Sequence, residues 1–297
     1  IVLLVSALLG YFVNYRQIVL TADQKEYKIT LNVQGFKVIK VLLQIAAIYY
    51  LSNGYVYWMI LELLMAVTTA VVLDKLLKRE YPWLKTIIMQ GGTLRQKYPE
   101  IISKTKQVFF HQIAAFVLFQ TSPLIIYTYA SLTLVAVYGN YMLIITGVTL
   151  LMDALLRSIN AGVGSLVAEG DKERIKKVFW ELTSLRLWLA SVVCFGIYKL
   201  GHSFIILWVG NDFLLEQSAF IVLIAITFIG LSRTNDTFLA AYGLFQDVWA
   251  PVTEAVLNLG LSILLGYYYG LTGILSGVLI SLLVIVCIWK PLFLYKC

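Results

Sequence analysis

The chain is poor in the residues that build disulfide frameworks, metal centres and catalytic relays. Its three cysteines, Cys194, Cys287 and Cys297, have no paired spacing, and its two histidines, His111 and His202, stand far apart. Such a set suggests neither a disulfide scaffold nor a metal cluster. No Ser/His/Asp, Cys/His or paired-carboxylate constellation stands out, so no enzyme and no cofactor is expected. Charge is scarce as well: Asp, Glu, Lys and Arg make up 13% of 297 residues, against 60% hydrophobic residues. With so little polar surface a soluble core of this length cannot be enclosed, and an all-α integral membrane protein is expected. The formal charge of +7 does not point to nucleic acid, because the bases lie beside apolar spans, where anionic headgroups explain them.

Nine stretches of membrane-crossing length can be placed, at 1–19, 35–51, 55–74, 108–129, 133–156, 178–200, 218–240, 248–268 and 272–290. Threaded in alternation, they put every one of the 23 Lys and Arg residues except Lys199 on one face or at helix ends opening onto it. Inner loops hold back Lys and Arg during insertion, so that face is expected to be cytoplasmic, with Ile1 outside and Cys297 inside. The opposite loops are short and aromatic, as in Ser52-Asn53-Gly54-Tyr55 and Tyr267-Tyr268-Tyr269-Gly270. Ile1 already lies within an apolar stretch, with no n-region or cleavage motif, so no signal peptide is read there and the chain is expected to begin partway through a larger protein.

The segment 81–106 is basic and interrupted by Pro82, Gly91-Gly92 and Pro99, which marks a cytoplasmic linker between helical bundles. The expected organisation is a partial N-terminal lobe at 1–80 with three spans, the linker, and a six-span C-terminal lobe at 107–297. A weak internal repeat supports paired lobes: a polar segment after Arg16 leads into a span ending at Gly54, and one after Arg233 leads into a span ending at Gly270. Parallel repeats of this kind recur in transporters, with the substrate site at their interface.

An ionisable group inside a membrane helix costs about 2.5–3.5 kcal/mol on insertion scales, so each one asks for a reason. Glu62 sits in the middle of 55–74 with no base within a helical turn. It reads either as an ion-coupling group or as a neutral, protonated side chain bonded to a neighbouring helix. Lys37, Lys40 and Gln44 share one helical face, either lining a cavity that meets phosphate or snorkelling from the start of a span. Arg16 and Arg233 pose the same choice, with Asp236 a local competitor for Arg233. Asp153 and Arg157 are expected to pair, Glu254 and Asn258 to join helices, and the other inner bases to act as headgroup anchors. Gly162 to Gly170 lacks the ending of a nucleotide phosphate loop. Lys172 to Lys177 reads as a basic amphipathic helix lying on the inner surface.

Several helix-end patterns carry a family likeness: Tyr15-Arg16-Gln17 to Lys25, Tyr138-Gly139-Asn140-Tyr141, Gly162 through Asp171, Leu207-Trp208-Val209-Gly210, and Ala240-Ala241-Tyr242-Gly243 with Trp249-Ala250-Pro251. With these the chain resembles the polysaccharide flippases, the O-antigen and capsule repeat-unit translocases of the multidrug/oligosaccharidyl-lipid/polysaccharide exporter superfamily. The resemblance implies a MATE-like bundle of two six-helix lobes, here short of three helices at its start. It implies export of an undecaprenyl-diphosphate-linked oligosaccharide from the inner to the outer leaflet of a bacterial cytoplasmic membrane by alternating access. Under it Arg16, Lys37, Lys40 and Arg233 would meet the diphosphate and Glu62 would couple an ion, with membrane lipids, a polysaccharide polymerase and chain-length machinery as partners. Rival readings are a multidrug or amphiphile exporter, a membrane-embedded glycan polymerase or glycosyltransferase, and an inactive truncated product.

Overall fold

The computed structural model describes residues 2–13, 15, 17–23, 25–84, 91–129 and 131–296. All regular structure among them is helical. Six helices are long and apolar enough to cross a membrane, which makes this a multi-pass membrane protein. The chain divides into two compact units, Ile1–Leu94 and Arg95–Cys297.

The first unit holds α1 (Val2–Val13), α2 (Gln17–Ala22), α3 (Glu26–Tyr50) and α4 (Gly54–Glu80), with α4 packed on α3 and α1. A three-residue turn reverses the chain between α3 and α4. Gly54 permits it, because a Cβ there would stand 2.7 Å from the Ile48 Cα. The antiparallel register is pinned along its length: Lys28 pairs with Glu80, Lys40 with Glu62, and the Gln44 amide donates to the Trp58 carbonyl at 3.2 Å. Beside the Lys28 end, Leu20 of α2 is buried with Leu73, Leu77 and Tyr81. The Tyr81 hydroxyl donates to Asp23 at 2.8 Å, and Lys25 lies 2.6 Å from the same carboxylate. Hydrogen bonds from Lys25 and Tyr81 hold the Asp23 carboxyl below the usual carboxylate range.

The second unit runs through α6 (Pro99–Gln120), α7 (Ser122–Tyr129), α8 (Leu132–Glu169), α9 (Lys172–Trp208), α10 (Gln217–Leu231), α11 (Thr234–Ala241) and α12 (Trp249–Leu282). A short helix, α5 (Gly91–Lys97), carries the boundary between units, and α12 continues through a π-helical stretch, Leu283–Trp289, into α13 (Lys290–Lys296). A core of Tyr141, Ile205, Phe220 and Ile274 ties α8, α9, α10 and α12 together. The 38 residues of α8 extend about 57 Å at 1.5 Å per residue, well beyond a hydrocarbon core of about 30 Å. The overhang packs with α9 and α11 through Val163, Leu182 and Phe238.

The nine expected spans are reduced accordingly. Helix α1 is only 12 residues long, and the chain at 108–129 breaks at Thr121, where Pro123 enters the first turn of α7. Expected spans 248–268 and 272–290, by contrast, correspond to the two arms of one helical stretch, Trp249–Lys296, that folds back at Gly270 (φ 56°, ψ −136°). Ser262 Oγ donates to the Ile274 carbonyl at 2.9 Å, whereas twelve residues of straight helix would span about 18 Å.

The start of α9 is also not a separate surface helix. Lys172 to Lys177 forms the first turns of a continuous 37-residue helix. The Asp171 carboxylate caps it, accepting from the Arg174 N–H at 3.2 Å, and Gly170 ends α8 in the left-handed region. Ile175 turns inward against the Val163 cluster.

Candidate functional site

Each unit contains a cavity with charge on its wall. The cavity in the first unit has a volume of about 510 Å³ and is lined by Lys37, Lys40, Glu62, Gln17 and Thr69. Because α3 starts at Glu26 rather than near 35, Lys37 and Lys40 sit in the middle of a helix, and Lys40 does not snorkel from a span start. Lys40 Nζ lies 2.8 Å from Glu62 Oε1, and the Gln44 amide donates to Oε2 at 3.1 Å. Both carboxylate oxygens are therefore engaged, and the geometry is that of an ion pair. The side chains of Lys40 and Glu62 are 22% and 9% exposed, so the pair is largely withdrawn from solvent. Lys37 is exposed on the same cavity.

The cavity in the second unit is larger, about 860 Å³. Its apolar walls include Met142, Ile145, Leu223 and Leu275, with hydroxyls from Tyr138, Thr149 and Thr227. One end is charged, with Asp153, Arg186, Arg233 and Asp236 on the wall. Arg186 donates to the Arg233 carbonyl at 3.1 Å and to Thr237 Oγ1 at 3.0 Å. Arg233 stands between two carboxylates, 3.4 Å from Asp236 and 3.6 Å from Glu254, while Asp236 is held closer by Lys290, at 2.6 Å. Five helices and the loop before α11 thus bring together three cations, Arg186, Arg233 and Lys290, and three carboxylates, Asp153, Asp236 and Glu254, so that the charges balance.

At the opposite end of this unit, the Leu215 N–H donates to the Tyr141 hydroxyl, which itself bonds His202 Nδ1 at 2.6 Å. With the hydroxyl donating, His202 Nε2 carries the proton towards Gln217 Oε1 at 3.2 Å. Lys199, the lone base on the expected outer side, lies over the Phe195 and Tyr198 rings.

Of the residues singled out by sequence, Lys37, Lys40 and Glu62 come together and Arg233 joins a different cluster in the second unit. Arg16 lies outside the described residues, as do the side chains of His111 and Arg157, and with the last of these the expected Asp153–Arg157 pair. Glu254 and Asn258 occupy one buried face of α12; Asn258 is 0% exposed and neither of its amide atoms has a hydrogen-bond partner among the described residues. Arg186 and Lys290 were expected to be headgroup anchors, but they belong to the charge cluster. Their signal in the sequence was present only as a base close to a span, one that many unrelated residues share.

The fold and its two charged cavities define an all-helical, multi-pass membrane protein with polar chemistry held within its helical units. The chain matches no family model, no curated protein and no solved structure.

Proposed function

We propose that the protein is a transporter, a two-lobe exporter that moves an anionic, lipid-linked oligosaccharide across a bacterial cytoplasmic membrane by alternating access. The observation that carries this reading is the cavity of about 860 Å³ with apolar walls and a charged end that includes Arg186 and Arg233. A diphosphate headgroup with its sugars cannot cross hydrocarbon unaided, and a cavity of this kind lowers the barrier while the lipid tail stays in the bilayer. The one-sided distribution of Lys and Arg and the flippase-like helix-end patterns support the same reading.

Replacing Arg16, Lys37, Lys40 and Arg233 with Gln, one at a time in the intact protein, is expected to reduce surface glycan per molecule of protein in the membrane, a normalisation that Lys40→Gln requires because it also leaves Glu62 without its cation. Unaltered glycan in all four variants would remove the flippase assignment. Glu62 makes a separate expectation, because it joins a buried ion pair that an incoming cation or proton would compete for. Glu62→Gln should abolish the dependence of transport on an imposed ion gradient, and an unchanged gradient dependence excludes Glu62 from coupling.

A further inference from the structure

Lys37 has no ion pair among the described residues, which include all 16 Asp and Glu of the chain. It is exposed on the wall of the first unit's cavity, far from either face of the bilayer. The tip of the hairpin formed by α3 and α4 marks one face, because Tyr49, Tyr50 and Tyr55 are all exposed there. At 1.5 Å per residue Lys37 lies about 20 Å and Lys40 about 15 Å from Tyr50, near the middle of a hydrocarbon core of about 30 Å. An unpaired ammonium at that depth is costly unless it meets water or an anion. One turn along the same face Lys40 also lines the cavity, held by Glu62. Glu62 in turn is bonded only by Lys40 and Gln44, both on α3. The other elements packed on α4 are α1 and α2, which bring no described acid or base; the Tyr11 side chain and Arg16 lie outside the described residues. The nearest acid on α4 itself, Asp74, is about 18 Å along the helix and paired with Lys78.

We infer that this cavity takes up a diphosphate diester and a proton together. One phosphoryl group meets Lys37, and the other draws Lys40 from Glu62. Glu62, largely buried and left with the Gln44 amide alone, accepts one proton from solvent and becomes a neutral acid. A buried carboxylate without a cation is neutralised in this way rather than held charged. A single phosphate engages Lys37 alone, so the Lys40–Glu62 pair stays closed and no proton enters. The inference rests on the transporter reading only in taking Lys37 and Lys40 as the groups that meet the diphosphate.

The test uses the intact, detergent-solubilised protein and two probes that do not themselves titrate near neutral pH. These are dimethyl diphosphate, with one methyl ester on each phosphorus, and dimethyl phosphate, each bound at a series of pH values in a calorimeter. The diphosphate Kd should tighten by up to about tenfold for each unit that the pH falls, the slope of one coupled proton, while that of dimethyl phosphate stays flat. A pH indicator in weakly buffered solution should register about one proton taken up per diphosphate bound. Glu62→Gln, which cannot take a proton, should bind the diphosphate with a flat profile, and Lys37→Gln should weaken both probes about tenfold. No measurable diphosphate binding, a flat diphosphate profile, equal slopes for the two probes, or a slope that survives Glu62→Gln overturns the inference. The first three are read on the unsubstituted protein, so they decide the matter even where a variant does not fold. A flat diphosphate profile with surface glycan lost in the Gln variants removes the proton linkage and leaves the transporter. Proton-coupled binding with glycan unaffected in all four Gln variants upholds the site and removes the flippase.

Discussion

Replacing Lys40 with Met is expected to destabilise the first unit by about 1–3 kcal/mol, the penalty for leaving a partly buried carboxylate without its charged partner. The size of the effect follows from the position of Glu62. Its side chain is 9% exposed, and after the substitution only the Gln44 amide would remain bonded to it. Removing both charges tells a different story. The double variant Lys40→Met, Glu62→Leu fills the same space with apolar atoms and is expected to recover to within about 1 kcal/mol of the wild type. A double-mutant cycle from unfolding in bicelles reads the coupling directly. Near-additive losses would mean that the two side chains do not depend on one another. Stability unchanged by Lys40→Met would mean that Glu62 is held neutral, the protonated state that the sequence left open.

That pair also shows how far the sequence could be read. The apolar stretches, the short turn after Tyr50 and the helical class were all legible, because they depend on composition and local propensity. The start of α3 was not, since Lys28, Asn32, Lys37 and Lys40 lower the hydropathy without opposing a helix; Asn32 even bonds back to the Lys28 carbonyl. Setting the span start near 35 placed Lys40 at a membrane edge, and its partnership with Glu62 was lost. A signal did exist: Lys40 and Glu62 are equidistant in sequence from Leu51, as expected for partners across a tight antiparallel hairpin. The Arg186, Arg233 and Lys290 cluster offered no such cue. Its members come from α9, the loop before α11, and α13, and only the packing of the whole unit brings them together.

The second hairpin predicts a larger loss. Gly277→Ala would put a Cβ 2.4 Å from the Ser262 N and 2.7 Å from the Leu261 carbonyl carbon, and Gly273→Ala would put one 2.0 Å from the Leu265 carbonyl oxygen. These neighbours are backbone, so no side chain can turn aside and the two arms must separate. Separation breaks the Ser262 bond to the Ile274 carbonyl and uncovers Ile274, Leu275 and Val278, all buried. The expected cost exceeds about 3 kcal/mol, at or above the upper range for overpacking. Gly260→Ala is the matched control, because it lies in the same helix with nothing within 4 Å of its added Cβ. There alanine should be neutral or stabilising by up to about 1 kcal/mol. Thermal unfolding in detergent of the three variants against wild type measures the contrast, and a Gly277→Ala protein as stable as Gly260→Ala would mean that the arms do not meet this closely. The hairpin also sets the charge cluster, since Glu254 is on its first arm and Lys290 follows its second. An opened hairpin therefore draws Lys290 away from Asp236 and leaves Arg233 to neutralise two carboxylates, coupling close glycine packing to the charged end of the cavity.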